Sequence, residues 1–225
     1  MSLIKVDKMQ LEKSFFQKGY TTLNIFTERE ATDFLKKIEK YFYKVGRKRK
    51  IIIPNLKNYH LINIPEKKHK SIMHPNVRQI KIPKSLVKKI FNNRILNSIT
   101  KKFYGDKKIN IFQEYKNSLR TNKTGVRIVK PYAPISGIHA ESNSSPGWDP
   151  ITLWCPLIGF NNNYTLRIAP YSHKKKHPLK EIIKSKKYLA KSYSKKYLKN
   201  FKFIRPNMKI GQALVFHPNL LHGGA

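Results

Sequence analysis

A change of periodicity near residue 109 constrains this chain more than any other feature. Upstream, apolar residues recur at helical spacing, and downstream they fall in short β-prone runs cut by Gly, Pro and Asn. LEKSFFQKGYTTL predicts a short helix, a turn at Gly19 and a strand. Thr27 followed by Glu30 makes a capping box for the next helix, at 28–45, in which Ala31, Phe34, Leu35, Ile38, Phe42 and Val45 share one face. The Pro-punctuated stretch that follows predicts loops with a short strand at 50–53, and a second helical pattern covers 84–103. From Ile109 the runs are INIFQEY, GVRIVKPY, ISGIHAES, ITLWCPLIGF, YTLRIAP and KIGQALVFHP. Helices first and many short strands afterwards predict an α+β chain whose core is a sandwich or barrel.

At 225 residues and 40% hydrophobic content, the chain suits one globular domain, with a helical part at 1–108 and a β core at 109–225. No repeat or flexible linker divides it. Residues 174–202 interrupt the strand series with twelve lysines and a single acidic residue, Glu181, interleaved with Tyr188, Tyr193 and Tyr197. They read as a partly helical surface insertion. No apolar run reaches about 18 residues and the N-terminus has no signal-peptide core, so a cytoplasmic protein without a membrane span is expected.

The net charge of +35 favours polyanionic partners, but only nine of the 47 basic residues are Arg, the better bidentate reader of phosphate. The chain is also rich in Asn and Ile, as an AT-rich coding bias would make it, and it carries no nucleic-acid motif. A small-molecule substrate is therefore expected before nucleic acid. Cys155 is the only cysteine, which excludes multi-cysteine metal sites and leaves His and carboxylate ligands for any metal. It has no nucleophile elbow around it, and no phosphate-binding loop or dinucleotide fingerprint occurs.

The chemistry-bearing pattern is His139-Ala-Glu141 together with a distant histidine in FHPNLLHGG, which offers His217 and His222. On a strand, residues i and i+2 share a face, so His139 and Glu141 can address one ion, and a histidine from a neighbouring strand completes a facial triad. Two neutral imidazoles and a carboxylate leave open positions on an octahedral non-haem Fe(II). By itself a three-residue HxE pattern is weak evidence, and a lone His139 is better explained as a surface or hydrogen-bonded histidine.

The order of the neighbouring segments is more specific. His139 and Glu141, then Trp154 on an apolar strand, then the turn Pro170-Tyr171-Ser172-His173, then Gly211, Phe216 and His222 together resemble the phytanoyl-CoA dioxygenase-like branch of the Fe(II)/2-oxoglutarate-dependent oxygenases. HAES and DPITLWCPL are also similar to oxygenases of the bacterial carbohydrate-cluster type. The resemblance implies a double-stranded β-helix, the cupin-like jelly roll, with N-terminal helices. It implies Fe(II), 2-oxoglutarate and O₂ as cofactors, His139, Glu141 and His222 as catalytic metal ligands, and Trp154 beside the cosubstrate. His222 is preferred to His217 because LLHGG matches the family site and FHPN does not. A carboxylate at Glu141 implies hydroxylation, since halogenating relatives vacate that position for a halide.

Two departures from the family pattern stand out. Tyr171 replaces the glycine of a PGSH-like turn, and the chain stops at Ala225, before the strand and arginine that the family uses to anchor the far carboxylate of 2-oxoglutarate. Either the sequence is a fragment or another cation acts, for which Arg127, Lys130 and Arg167 are the candidates. His173, in that turn, is expected to shape the loop, and His60, His69, His74 and His177 are expected to be exposed. The lysine- and tyrosine-rich insertion reads as a lid for an anionic or sugar-linked substrate, a lipid or a coenzyme-linked acid, or else as a solvated charged face. The rival functional readings are a catalytically inactive or truncated basic jelly-roll module that binds polyanions, and a cupin-like metalloenzyme that does without 2-oxoglutarate.

Overall fold

The computed structural model describes residues 8–52, 56, 65, 83–105, 138–143, 150–157, 166–178, 181–184 and 189–223. The chain forms two compact units, Met1–Asn24 with Pro134–Ala225, and Ile25–Ala133. The β-prone runs at 109–115 and 125–132 lie outside the described residues, as do His60, His69 and His74. No helix among the described residues is long and apolar enough to cross a membrane.

The unit Ile25–Ala133 is helical where it is described. Its first helix, α2 (Glu28–Lys48), starts with the capping box expected from sequence: Thr27 Oγ1 accepts from Glu30 N–H at 3.2 Å, and Glu30 Oε2 accepts from Thr27 N–H at 3.0 Å. Ala31, Leu35, Ile38, Phe42 and Val45 are buried along one stripe, and Phe34 is half-buried at its margin. Lys89 Nζ lies 2.6 Å from Glu30 Oε1 and, with the capping bonds, holds that carboxyl down at about 2. The strand expected at 50–53 does not form in its described residues. Lys50 and Ile51 instead spend their amides on Arg47 and Gly46 carbonyls to close α2, with Lys50 at φ +53° and Ile52 86% exposed.

The second helical pattern is two helices, α3 (Lys84–Phe91) and α4 (Arg94–Tyr104). Two asparagines cause the break. Asn93 caps α4 by accepting from Leu96 N–H at 3.0 Å, and Asn97 Nδ2 donates to the Phe91 carbonyl that ends α3, at 2.9 Å.

The other unit opens with α1 (Lys8–Lys18) and β1 (Tyr20–Asn24), joined at Gly19 as expected. Further along lie β2 (Thr152–Trp154), β3 (Arg167–Ile168), a hairpin of β4 (Glu181–Lys184) and β5 (Leu189–Ser192), α5 (Lys195–Leu198), β6 (Gln212–Phe216) and β7 (His222–Gly223). β6 is central in an antiparallel sheet ordered β1-β6-β2, with Tyr20 and Thr152 both opposite Phe216. Ala213, Leu214, Val215 and Phe216 are all buried, so β6 reads as a continuous apolar run because both its faces are covered. β3 pairs antiparallel with β7 in a separate two-stranded sheet. Ile168 from that sheet joins Leu214 and Phe216 from β6, with Met208 and Leu220, in one apolar cluster bordered by Trp154.

Residues 174–202 are not simply a surface insertion. They supply the β4–β5 hairpin, the short α5 and the buried Tyr193, which packs with Ile138, Ala140, Ala169 and Leu221. His177, expected to be exposed, is buried. One ring nitrogen lies 2.8 Å from the Asn219 carbonyl and the other 2.8 Å from the Tyr197 hydroxyl. A carbonyl can only accept, so Nε2 carries a proton; burial lowers the His177 pKa and favours the neutral ring, to whose Nδ1 the Tyr197 hydroxyl donates.

The end of α1 is held by distant groups. Gly19 N–H donates to Phe15 O, Tyr171 N–H to Lys18 O at 2.8 Å, and His173 Nε2–H to Phe16 O at 3.0 Å. His173 thus shapes this corner, as the sequence implied, with its ring 4.9 Å from that of His217. Tyr171 takes φ +67°, the left-handed conformation that the missing glycine would have relieved. Gly19 sits at φ +86°, and a Cβ there would lie 2.5 Å from His173 Nδ1 and 2.7 Å from Leu220 Cδ1.

Two predictions follow from this corner. Gly19→Ala combines left-handed strain with overpacking and is expected to cost about 2–4 kcal/mol in chemical denaturation, whereas a loss under about 0.5 kcal/mol would show that the corner yields freely. Burial, and secondarily His173, lowers the His217 pKa to about 4 from 6.5. Between those values the unfolded chain binds a proton that the folded chain refuses, so the stability this group contributes is complete above pH 6.5 and falls as pH drops toward 4. Denaturant midpoints measured across that range are expected to fall less steeply for His217→Gln than for the parent, and parallel slopes would remove His217 from this account.

Candidate metal centre

The site begins with a backbone exchange. His139 N–H donates to His222 O at 2.8 Å and His222 N–H donates to His139 O at 2.9 Å, an isolated antiparallel bridge. Directly opposed residues send their side chains to the same face, and the two imidazole centroids lie 4.3 Å apart. β7 is held from its other side by β3, where Ile168 is opposite His222.

Glu141 reaches the same place by a different route from the one the sequence predicts. In the described part of this segment only His139 is bridged, and Glu141 opens a 3₁₀ turn, Glu141–Asn143, so strand alternation does not aim it. Ser142 holds that turn, its N–H donating to Pro218 O at 3.1 Å and its hydroxyl to Asn219 Oδ1 at 2.9 Å. Glu141 Oε1 then lies 3.4 Å from His222 Nε2 and 3.7 Å from His139 Nε2. One ligand atom from each of the three residues falls within 4.8 Å of the others.

These separations suit a shared cation. Two donors at right angles, each about 2 Å from an ion, stand about 3 Å apart, so small adjustments would bring all three into one coordination sphere. His222 is also prepared for that role by its tautomer. Nδ1 lies 2.9 Å from Leu220 O, which requires the proton on Nδ1 and leaves the Nε2 lone pair facing Glu141. Burial lowers the His222 pKa, which favours the neutral ring, and the Phe216 ring braces it at 4.5 Å. An imidazole that carries a proton toward the acid, on His139 or His222, pushes the Glu141 carboxyl well below the usual carboxylate range, so the acid is ionised.

His217 is not part of this group. Its Nδ1 accepts from Asn219 N–H at 3.0 Å, and its ring packs with His173 and Phe15. Trp154, opposite Leu214 across β2 and β6, borders the apolar cluster that contains Phe216. Arg167 belongs to β3, where consecutive residues point to opposite faces. With Ile168 opposite His222 and Arg167 opposite Gly223, the register turns Arg167 away from the face that carries the His222 ring. Arg127 and Lys130 lie outside the described residues. Cys155 is half-buried: its Sγ donates to Gln212 O at 3.2 Å, and burial pushes the thiol up to about 11.

A cavity of about 310 Å³ beside the Tyr171 turn, lined by Lys175, Phe201 and Ile204 among others, shares no residue with the triad. Sequence reading overlooked Ser142, Asn219 and His177. The Pro218-Asn219 pair, a turn signal shortly before the site histidine, was the available clue for Asn219.

Comparison with known proteins places the chain in a family. The profile of the phytanoyl-CoA dioxygenase (PhyH) family matches residues 17–225. No curated protein matches the sequence. Among solved structures the chain is similar to the epimerase SnoN, in complex with Fe³⁺, alpha-ketoglutarate and nogalamycin RO, at 10% identity and TM-score 0.46, covering 97% of this chain and 77% of SnoN. It is similar to AviO1 from Streptomyces viridochromogenes Tue57 at 11% identity and TM-score 0.49, covering 99% and 89%. EvdO2 from Micromonospora carbonacea var. aurantiaca, complexed with 2-oxoglutarate, is similar at 12% identity and TM-score 0.48, covering 100% and 86%. With the family profile spanning 17–225, the chain belongs to the phytanoyl-CoA dioxygenase family, and it is an Fe(II)/2-oxoglutarate-dependent oxygenase-type enzyme whose chemistry uses O₂.

Proposed function

We propose that this protein is a hydroxylase that holds Fe(II) on His139, Glu141 and His222 and acts on a small molecule. The observation that carries the assignment is the convergence of two imidazoles and one carboxylate within 4.8 Å, with the His222 proton held on Nδ1, which donates to Leu220 O. Bound Fe(II), with 2-oxoglutarate and O₂, would supply oxidative decarboxylation coupled to oxygen insertion into a C–H bond.

The protein's own contribution is geometric and electrostatic. Three ligands on one face leave three positions of an octahedron for cosubstrate and O₂. Glu141 supplies one negative charge and occupies the position that a halide would need, which favours hydroxylation. Phe216 and Trp154 give the site an apolar wall, and Trp154 is the residue we assign beside 2-oxoglutarate. For the cation that pairs with the cosubstrate's far carboxylate we retain Arg127 and Lys130 and rank Arg167 below them on its register.

The jelly roll is the architecture we assign to the unit that contains the triad. It is supported by a central antiparallel β6 covered on both faces and by the apolar cluster shared between β6 and β3. We read 1–225 as one oxygenase domain, 1–108 its helical part and 109–225 its β core, in keeping with a family match that runs from 17 to 225. For the substrate we favour a sugar-linked, lipid or coenzyme-linked metabolite that carries negative charge, because the segment 174–202 adds twelve lysines to this unit.

Anaerobic visible-absorption titration tests the centre directly. Adding Fe(II) and then 2-oxoglutarate is expected to produce a metal-to-ligand charge-transfer band that needs both additions. Glu141→Ala is expected to weaken Fe(II) binding by at least about tenfold, the loss that even outer-shell partners cause. A well-folded parent protein with no band would sink the oxygenase assignment and make the basic polyanion-binding module the leading reading.

A further inference from the structure

Asn219 lies three residues before His222 and is the most heavily used side chain around the triad. Its Nδ2 donates to His173 O and to Lys175 O, each at 2.9 Å, and its Oδ1 accepts from Ser142 Oγ at 2.9 Å. These bonds fix the amide orientation, because carbonyls can only accept. Its backbone is tied as well, the N–H donating to His217 Nδ1 at 3.0 Å and the carbonyl accepting from His177 Nε2–H at 2.8 Å.

This arrangement joins three segments that chain proximity does not. The 173–177 turn, the loop preceding His222 and the Glu141–Asn143 turn meet at one amide. Among the described residues, the Glu141 turn has two hydrogen bonds into that loop, both from Ser142, and the side-chain bond ends on Asn219. Because Glu141 lies in the 3₁₀ turn beyond the single His139–His222 bridge, pairing with β7 cannot aim it. The Ser142 anchors can.

We infer that Asn219, acting through the Ser142 hydroxyl, is a positioning residue that aims the Glu141 carboxylate at the His139–His222 pair. It touches no reacting atom. His177 and Tyr197 complete the device, since the His177–Asn219 bond ties the amide's backbone to the aromatic cluster of the lysine-rich segment. The inference rests on the metal-binding reading of His139, Glu141 and His222.

The test uses Co(II) as the probe on the full chain, read by the visible d–d spectrum and the binding isotherm, with the melting temperature of each metal-free variant measured in parallel. Ser142→Ala is expected to weaken Co(II) binding by about tenfold and to alter the d–d envelope while the metal-free melting temperature stays within about 2 °C of the parent's. Ser142→Thr, which keeps the hydroxyl, is expected to restore both affinity and spectrum. Asn219→Ala should weaken binding at least as much, and adding Ser142→Ala to it should cost nothing more, because both changes delete the same bond.

The controls separate the two levels of the argument. Parent protein that binds Co(II) while Glu141→Ala does not, combined with a Ser142→Ala isotherm and spectrum identical to the parent's, overturns the positioning role and leaves the metal centre standing. Parent protein that fails to bind Co(II), or binds no better than Glu141→Ala, overturns the metal centre and the positioning role together. Should Asn219→Ala fail to fold, the Ser142→Ala and Ser142→Thr pair decides the matter alone.

Discussion

The pair of hydrogen bonds exchanged between His139 and His222 is the interaction on which the candidate centre depends. It does what no local sequence preference can, placing two residues from distant parts of the chain in direct opposition, so that pleat geometry sends both rings to one face. β3 and β6 make that exchange durable. Ile168 flanks His222 on the next strand and Phe216 backs its ring, so moving the histidine would disturb a fully buried apolar cluster.

The carboxylate is held on different terms. Glu141 is outside any ladder, and its direction follows from a short 3₁₀ turn pinned by Ser142 to the loop that precedes His222. The triad therefore mixes two kinds of support, a strand bridge for the imidazoles and a side-chain network for the acid. The network gathers at Asn219 because an amide can donate twice and accept at once, which no aliphatic or hydroxyl side chain of that size can do.

The lysine-rich segment shows how composition can mislead. Its charges dominate the sequence, yet the structural contribution visible in the described residues comes from Tyr193, Tyr197 and Phe201, which pack with Ile138, Ala140 and Leu221, and from His177, whose ring packs on those aromatics. Those three aliphatic residues alternate with His139 and precede His222, so the aromatic cluster supports the face of the site segments opposite the ligands. Burial of His177 was not legible in sequence, because its neighbours Lys174, Lys175 and Lys176 signal solvent and the partners that bury it, Tyr197 and Asn219, come from elsewhere in the chain.

Features governed by near neighbours were open to sequence reading. The Thr27–Glu30 capping box, the amphipathic stripe of α2, the Gly19 turn and the apolar run of β6 each follow from residues within a few positions of one another. The pair Asn93 and Asn97 at the break between α3 and α4 was also local, but helical periodicity on both sides concealed it. The chemical types of the candidate ligands, His139, Glu141 and His222, were likewise readable as a pattern. Tertiary structure alone decided that Glu141 arrives from a turn instead of a strand, that Arg167 points away from His222, and that Asn219 ties the acid's turn to the histidine's loop. Those outcomes depend on cross-strand register and on hydrogen bonds between segments far apart in the chain, and the energy of such contacts is not encoded at either end separately.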